Sequence, residues 1–242
     1  MRLCWAVNYL YILIMKTLAL FVTLLLTCPL SLWAQSAEIL LQKVSDALSV
    51  DKSDYAVSLF RQAVNINVDL VEMYYWTHVD KRSGIAPRLA KEMAIYYKEK
   101  RDYDKAYLFY KELLQYFPED VSVLVPCAEM QMMRGKEKDA VNLCEKVLML
   151  DANNLQANIF LGNYYYLQAE QAKKKIEEDY KKISSPTRMQ YARYRNGLSD
   201  IFSTRYVRAK SYLQKVLQLF PSTEAGKTLE KIKKVEIEMN NY

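Results

Sequence analysis

The 242-residue chain has one histidine, five glycines and six prolines. Tight turns draw on glycine and proline, and 11 such residues in 242 are too few for a strand-rich sandwich or a glycine-rich nucleotide fold. One histidine excludes a His-rich metal site and leaves little for acid–base chemistry. No G-x-x-x-x-G-K-[ST], G-x-G-x-x-G, C-x-x-C, H-E-x-x-H or G-x-S-x-G pattern occurs. The reading is therefore non-catalytic, with no catalytic, cofactor or metal residue assigned and no small-molecule substrate expected. His78 ends the aromatic run Tyr74-Tyr75-Trp76-Thr77-His78 and reads as a packed side chain. Of four cysteines, Cys4 and Cys28 fall in the first 34 residues. Cys127 and Cys144 are too few for a disulfide scaffold. They read as small core hydrophobes, with a bridge between them as the alternative.

What the chain does have begins with an apolar leader. Lys16 opens it, an apolar run from Leu18 to Leu26 comes next, then Pro29, and Ala34 stands where a signal peptidase would cut. The expectation is an exported protein of the periplasm or cell envelope. It is cleaved between Ala34 and Gln35, with Met15 as the natural start. Two alternatives are an uncleaved anchor, since 17–33 is long enough to span a bilayer, and lipidation at Cys28. After the leader, hydrophobic content (51% of the whole chain) suffices for a sizeable core. Charge is uneven: residues 35–169 carry 16 basic against 19 acidic groups, and 170–242 carry 16 against 9. That asymmetry predicts a polarised surface.

Apolar residues recur at i, i+3, i+4 and i+7 almost throughout, and period-2 alternation is missing, so helices are expected and strands are not. Start signals are read at Asp69 with Glu72, at Ser185 before Pro186, and at Ser222. A spacing then repeats. Ala106–Tyr110–Leu113–Pro118 returns 34 residues later as Ala140–Cys144–Val147–Ala152, and Ala209–Leu213–Val216–Pro221 keeps the same internal steps. Ala56–Phe60–Ala63 is a fourth copy. In the preceding helices the small residues Ala94, Ala128 and Gly162 are also 34 apart. Two antiparallel helices touch closely only where one carries a small side chain, and the large residue one turn on is expected to fill the gap beside it, with each small residue facing that of its partner helix.

This pattern resembles the tetratricopeptide repeat. The resemblance implies an all-α, right-handed solenoid of helical hairpins, with repeats at about 37–70, 87–120, 121–154 and 155–222. Three departures stand out: Arg101 at the usual turn glycine, Gln131 at an aromatic position and Lys43 at an apolar one. Residues 71–86 are expected to add a helix ending near Arg82, with Gly84 as its stop. Tyr165 and Ala209 are 44 residues apart where the repeat has nine. The additional segment, about 168–203, is expected to be a helical insertion in the third clear repeat. Its first helix runs on to about Lys182, supported by Gln171–Lys175 and Glu178–Lys182 pairs, and a second packs back from Pro186. A C-terminal capping helix over about 222–240 completes a single domain, 35–242.

The resemblance also implies a protein-binding groove on the first helices of the hairpins. Its rows are Arg88, Lys91, Ile95 and Lys98; Ser122, Val125, Glu129 and Met132; and Gln156, Ile159, Asn163 and Tyr166. Lys91 lacks the asparagine four residues on that a carboxylate clamp requires, so no clamp is expected. A second candidate surface is the basic stretch Arg188, Arg193, Arg195, Arg205, Arg208 and Lys210, with Tyr191, Tyr194 and Tyr206 between. It reads either as a solvated face or as a surface for an acidic protein or an envelope surface; export argues against nucleic acid. The functional expectation is an envelope scaffold binding a protein or peptide. The rival is a docking subunit that uses the basic insertion, and an enzyme is the third reading. As a module, the insertion is expected to be dispensable for folding.

Overall fold

A computed structural model describes residues 36–240. The leader, with the expectations at Ala34, Gln35 and Cys28, lies outside the described residues. Packing gives two compact units, up to Leu113 and from Leu114 on. The described residues are helical with no strand, and the helices pair as hairpins. The fold class is all-α, built from helical hairpins.

The first unit holds α1 (36–49), α2 (Ser53–Ile66), α3 (Val68–His78), α4 (Ala86–Glu99) and most of α5 (Tyr103–Tyr116). The repeated small residues do what their spacing asks: Ala56, Ala63, Ala94 and Ala106 are fully buried, as is Phe60. Lys43 keeps its hydrocarbon position from entering the core by lying outward, and its neighbour Val44 is buried instead. Three hairpin turns place a residue with positive φ five positions before the small residue of the second helix. Asp51 (56°), Arg101 (62°) and Gly135 (73°) fill that place. The left-handed geometry is therefore kept where glycine is not.

Helix α3 differs from expectation at both ends. Its N-cap is Asn67, whose side chain accepts from the Leu70 amide at 3.1 Å, not Asp69. It stops at His78 because Val79 is extended, four residues before Arg82 and well before Gly84. Glu72, read as a capping partner, instead anchors α3 to its neighbours: it accepts from the Tyr97 hydroxyl and, at 2.8 Å, from Lys105 Nζ. Burial works against ionisation of Glu72, but these hydrogen bonds outweigh it and hold its carboxyl below the usual range. Tyr75 packs edge-on against Phe109, with centroids 5.5 Å apart.

The second unit contains α6 (Val121–Met133), α7 (Glu137–Leu150), α8 (Leu155–Lys181), α9 (Arg188–Ile201), α10 (Val207–Leu219) and α11 (Thr223–Asn240). Ala128 and Ala140 are buried in the α6–α7 hairpin. In α8, Gly162 meets the large Leu213 rather than the small Ala209: a Cβ at Gly162 would lie 2.8 Å from Leu213 Cδ2 and 2.9 Å from its Cγ. The missing methyl group is the space the leucine occupies.

The insertion is not a separate module. α8 is 27 residues long, and α9 continues into α10 through a π-turn at Phe202–Tyr206. The additional residues lengthen both helices of one hairpin. The π-turn carries the i→i+5 bond from the Val207 amide to the Phe202 carbonyl and adds a residue to that turn. Tyr206 then points inward, 1% exposed, and donates to Glu170 at 2.6 Å. Ala169 and Ile201, within the supposed insertion, share a core with Tyr206, Leu213, Val216, Ala225 and Ile232. The base of the insertion thus shares the core that seats α11, where the sequence placed that core outside it. Thr187 caps α9 in a reciprocal box with Gln190, displacing the signal read at Ser185. Ser222 caps α11, accepting from the Ala225 amide at 3.2 Å. Ion pairs along α8 and its C-cap include Lys173–Glu177, Lys174–Glu178 and Lys182–Asp179, with Lys182 paired to Asp179 and not to Glu178.

The Gly162 contact predicts that Gly162→Leu destabilises the protein by about 1–3 kcal/mol through overpacking. Gly84→Ala, with nothing within 4 Å of the added Cβ, is the matched control and stays near neutral. Urea unfolding of both variants checks this; equal midpoints would refute the packing assignment.

Candidate functional site

Two helical stripes in the second unit build a concave site. From α6 come Val125, Ala128, Glu129 and Met132, at i, i+3, i+4 and i+7. From α8 come Gln156, Ile159, Phe160, Asn163, Tyr164 and Leu167, the same period carried one turn further. Glu137 and Cys144 of α7, one face apart by seven residues, complete a groove of about 480 Å³. The volume exists because its floor is made of small side chains: Ala128, Ala157 and Cys144 are all buried, at 3%, 1% and 5% exposure. Phe160 and Tyr164 stack along the wall, with centroids 6.1 Å apart. Met132, Ile159 and Leu167 present apolar surface at the mouth, 40%, 38% and 56% exposed.

The lining is apolar with a sparse polar set, two carboxylates (Glu129, Glu137) and two amides (Gln156, Asn163), and no Lys or Arg. Such a surface suits an apolar side chain flanked by groups that hydrogen-bond the amides or complement the acids. It is a poor place for nucleophilic chemistry: burial, with help from Glu145, pushes the Cys144 thiol up to about 12. No group of three or more His, Cys, Asp or Glu among the described residues could hold a metal ion.

Behind the groove a polar network fixes α7, α8 and α10. Tyr165 donates to Glu145 at 3.1 Å, Arg208 reaches the same carboxylate at 3.0 Å, and the Arg208 guanidinium lies 4.1 Å from the Tyr165 ring centroid. Burial raises the Tyr165 hydroxyl to about 12, against the opposing pull of Arg208. Tyr165 also stacks on Tyr212 at 6.0 Å.

The structure thus brings together Val125, Glu129, Met132, Ile159 and Asn163 from the sequence-expected groove, with Gln156. Tyr166 is a correction: it faces the core, edge-on to Tyr206 at 6.2 Å. Phe160, Tyr164 and Leu167 were missed; the signal was the 3–4 alternation of apolar positions along α8, which a fixed set of repeat positions passes over. The remaining row lies in the first unit on α4. There Arg88 pairs with Asp54 at 2.5 Å, Lys91 is exposed, Ile95 is 37% exposed and Lys98 is half-buried.

The basic stretch is corrected more heavily. Arg195 donates to the Met239 carbonyl at 2.8 Å and Arg205 to the Gln168 carbonyl at 2.9 Å. Arg208 belongs to the Glu145 network, and Lys210 pairs with Glu236 at 2.8 Å. Four of its six cations therefore hold helices together. Its tyrosines do likewise: Tyr206 is in the core, and Tyr194 stacks on Tyr180 at 4.3 Å. Arg188 and Arg193 remain exposed.

No family model and no curated protein matches the chain. Among solved structures, one from Bacteroides ovatus ATCC 8483 is 61% identical. The match covers 84% of this chain and 99% of that one, with a TM-score of 0.79. The chain belongs to the family of that protein. Its relative is provisionally described as protein-binding. Two further matches are the MamA protein and YrrB, the latter described as a TPR protein with an unusual peptide-binding site. They are 18% and 12% identical, over 66% and 82% of this chain and 87% and 97% of theirs. Their TM-scores of 0.38 and 0.36 are too low to bear on this chain's geometry.

The groove floor yields a prediction. A thiol-directed reagent should label Cys144 slowly in the native protein near neutral pH and rapidly once urea unfolds it. Folding keeps this thiol protonated, so the folded state binds more protons than the unfolded one above the ordinary thiol pKa. Its contribution to stability is complete below that pKa and is lost as pH rises toward about 12. Fast native labelling would contradict the burial.

Proposed function

We propose that the chain is an exported, non-catalytic scaffold of the periplasm or cell envelope that binds a protein segment in the α6–α8 groove. The observation that carries this reading is the groove itself: two in-phase helical stripes and a small-residue floor leave an open, largely apolar channel with few polar groups. A segment of a partner protein fills such a channel with its side chains, which supply specificity. The relative from Bacteroides ovatus, described as protein-binding, supports the same class of partner. Non-catalysis rests on the protonated, buried Cys144 and on a groove without histidine. Export rests on the pattern from Lys16 to Ala34.

Photo-crosslinking in intact cells tests the site. A crosslinking side chain at Ile159 should capture a discrete partner, and one at Lys138, outside the groove lining, should not. Adding Asn163→Arg and Ala128→Glu should abolish the Ile159 product. Capture that is equal at both positions, or unaffected by the groove changes, would overturn the assignment. Export is read separately. N-terminal sequencing of the mature protein should begin at Gln35, and an intact start on a membrane-bound product would refute cleavage.

A further inference from the structure

Once the helix-locking cations are set aside, the positive charge of the second unit is concentrated at one place, the tip where α8 turns into α9. With Arg195 set aside, residues 173–195 hold seven basic and three acidic side chains. Some of this charge is matched locally: Lys182 pairs with Asp179, Lys174 with Glu178, and Lys173 lies within 4 Å of Glu177 and Glu238. Lys181, Arg188 and Arg193 make no ion pair among the described residues and are exposed. Between the two arginines stands Met189, 66% exposed, with its sulfur 3.8 Å from Arg193 Nη2, and Tyr191 is 42% exposed beside them.

We propose that the α8–α9 tip is a docking surface for an anionic lipid bilayer. The turn residues 184–189 are all exposed, and Lys181, Arg188 and Arg193 bring three exposed cations to that turn. A plane of anionic headgroups complements that charge through the cations themselves, without side-chain pockets. Arginine pairs phosphate in a forked geometry that an ammonium cannot match. An exposed methionine and tyrosine beside the cations supply the apolar and interfacial groups that enter the headgroup boundary. No helix among the described residues is long and apolar enough to cross a membrane, so the contact is peripheral.

The tip is rigid enough to present these groups together. Tyr180 of α8 stacks on Tyr194 of α9, and Tyr191 lies 6.4 Å from Tyr180, so the aromatic ladder clamps the two helices immediately below the charged turn. The capping box at Thr187 and Gln190 fixes the first turn of α9 and thereby the direction of Arg188.

The test is flotation of the full chain with phosphatidylcholine vesicles, with and without an equimolar share of phosphatidylglycerol. The variant K181Q/R188Q/R193Q is the comparison. The apolar leader is common to both proteins, so the difference between them reads the tip. Each cation near an anionic surface strengthens partitioning about fivefold, so the triple variant should lose about a hundredfold on anionic vesicles and nothing on neutral ones. The wild-type advantage should vanish in about 1 M salt, where the screening length is about 3 Å. Circular dichroism confirms that the variant is folded; if it is not, the single variants R188Q and R193Q, each expected to lose about fivefold, take its place. Equal flotation of folded variant and wild type would overturn the proposal, as would binding to soluble polyglutamate without binding to anionic vesicles. Neither result touches the groove, whose residues are unchanged.

Discussion

The approach of α8 to α10 depends on an absence. Gly162 leaves the space that Leu213 fills, and any side chain there would meet both its Cδ2 methyl and its branched Cγ, at 2.8 and 2.9 Å. That contact fixes the spacing of the hairpin, and the spacing sets the contacts around it. It lets Tyr165 stack on Tyr212 and reach Glu145, which draws in Arg208 and sets α8 against α7. The groove wall belongs to the same helix: Phe160 and Tyr164 line the groove and pack, half-buried, against the core that holds Leu161. A shift of α8 would therefore reshape the groove as directly as it would unpack the core.

The same contact shows what the sequence could reveal. A 34-residue recurrence of small residues is enough to pair helices, because close approach is a steric demand that only a few side chains meet. At Gly162 the nearest neighbour is Leu213, the large residue one turn beyond Ala209, in the gap-filling place the spacing gives it. The site was legible to a similar depth. Repeat positions located Val125, Glu129, Met132, Ile159 and Asn163, but they assume one fixed phase per helix. α8 carries three consecutive tyrosines, Tyr164, Tyr165 and Tyr166, and only its rotation decides that one lines the groove, one backs it and one enters the core.

Charge was the least legible feature. A run of arginines reads the same whether each faces water or a carbonyl. Arg195 and Arg205 satisfy backbone oxygens at 2.8 and 2.9 Å, and their partners, Met239 and Gln168, lie 44 and 37 residues away. Nothing local to the arginines encodes those distances. The insertion was misread for the same reason: its length marked it as additional, but Ala169 and Ile201 are buried by residues of α10 and α11 that come later in the chain. A segment can break a repeat in sequence and still complete its core.

One helix carries both surfaces of the second unit. Asn163 lines the groove and Lys181 stands at the tip, 18 residues apart on α8. At 1.5 Å per residue that is about 27 Å along a continuous helix. A standard repeat could not do this, because its first helix ends at the turn just past the groove. Lengthening both helices of one hairpin moves the turn outward while leaving Gly162, Leu213 and the groove wall in place. The aromatic ladder of Tyr180, Tyr191 and Tyr194 then stiffens the extension where the helices have left the main core. On this geometry the insertion adds reach: a partner held between α6 and α8 and a bilayer met by Arg188 and Arg193 contact the same hairpin without competing for the same turn.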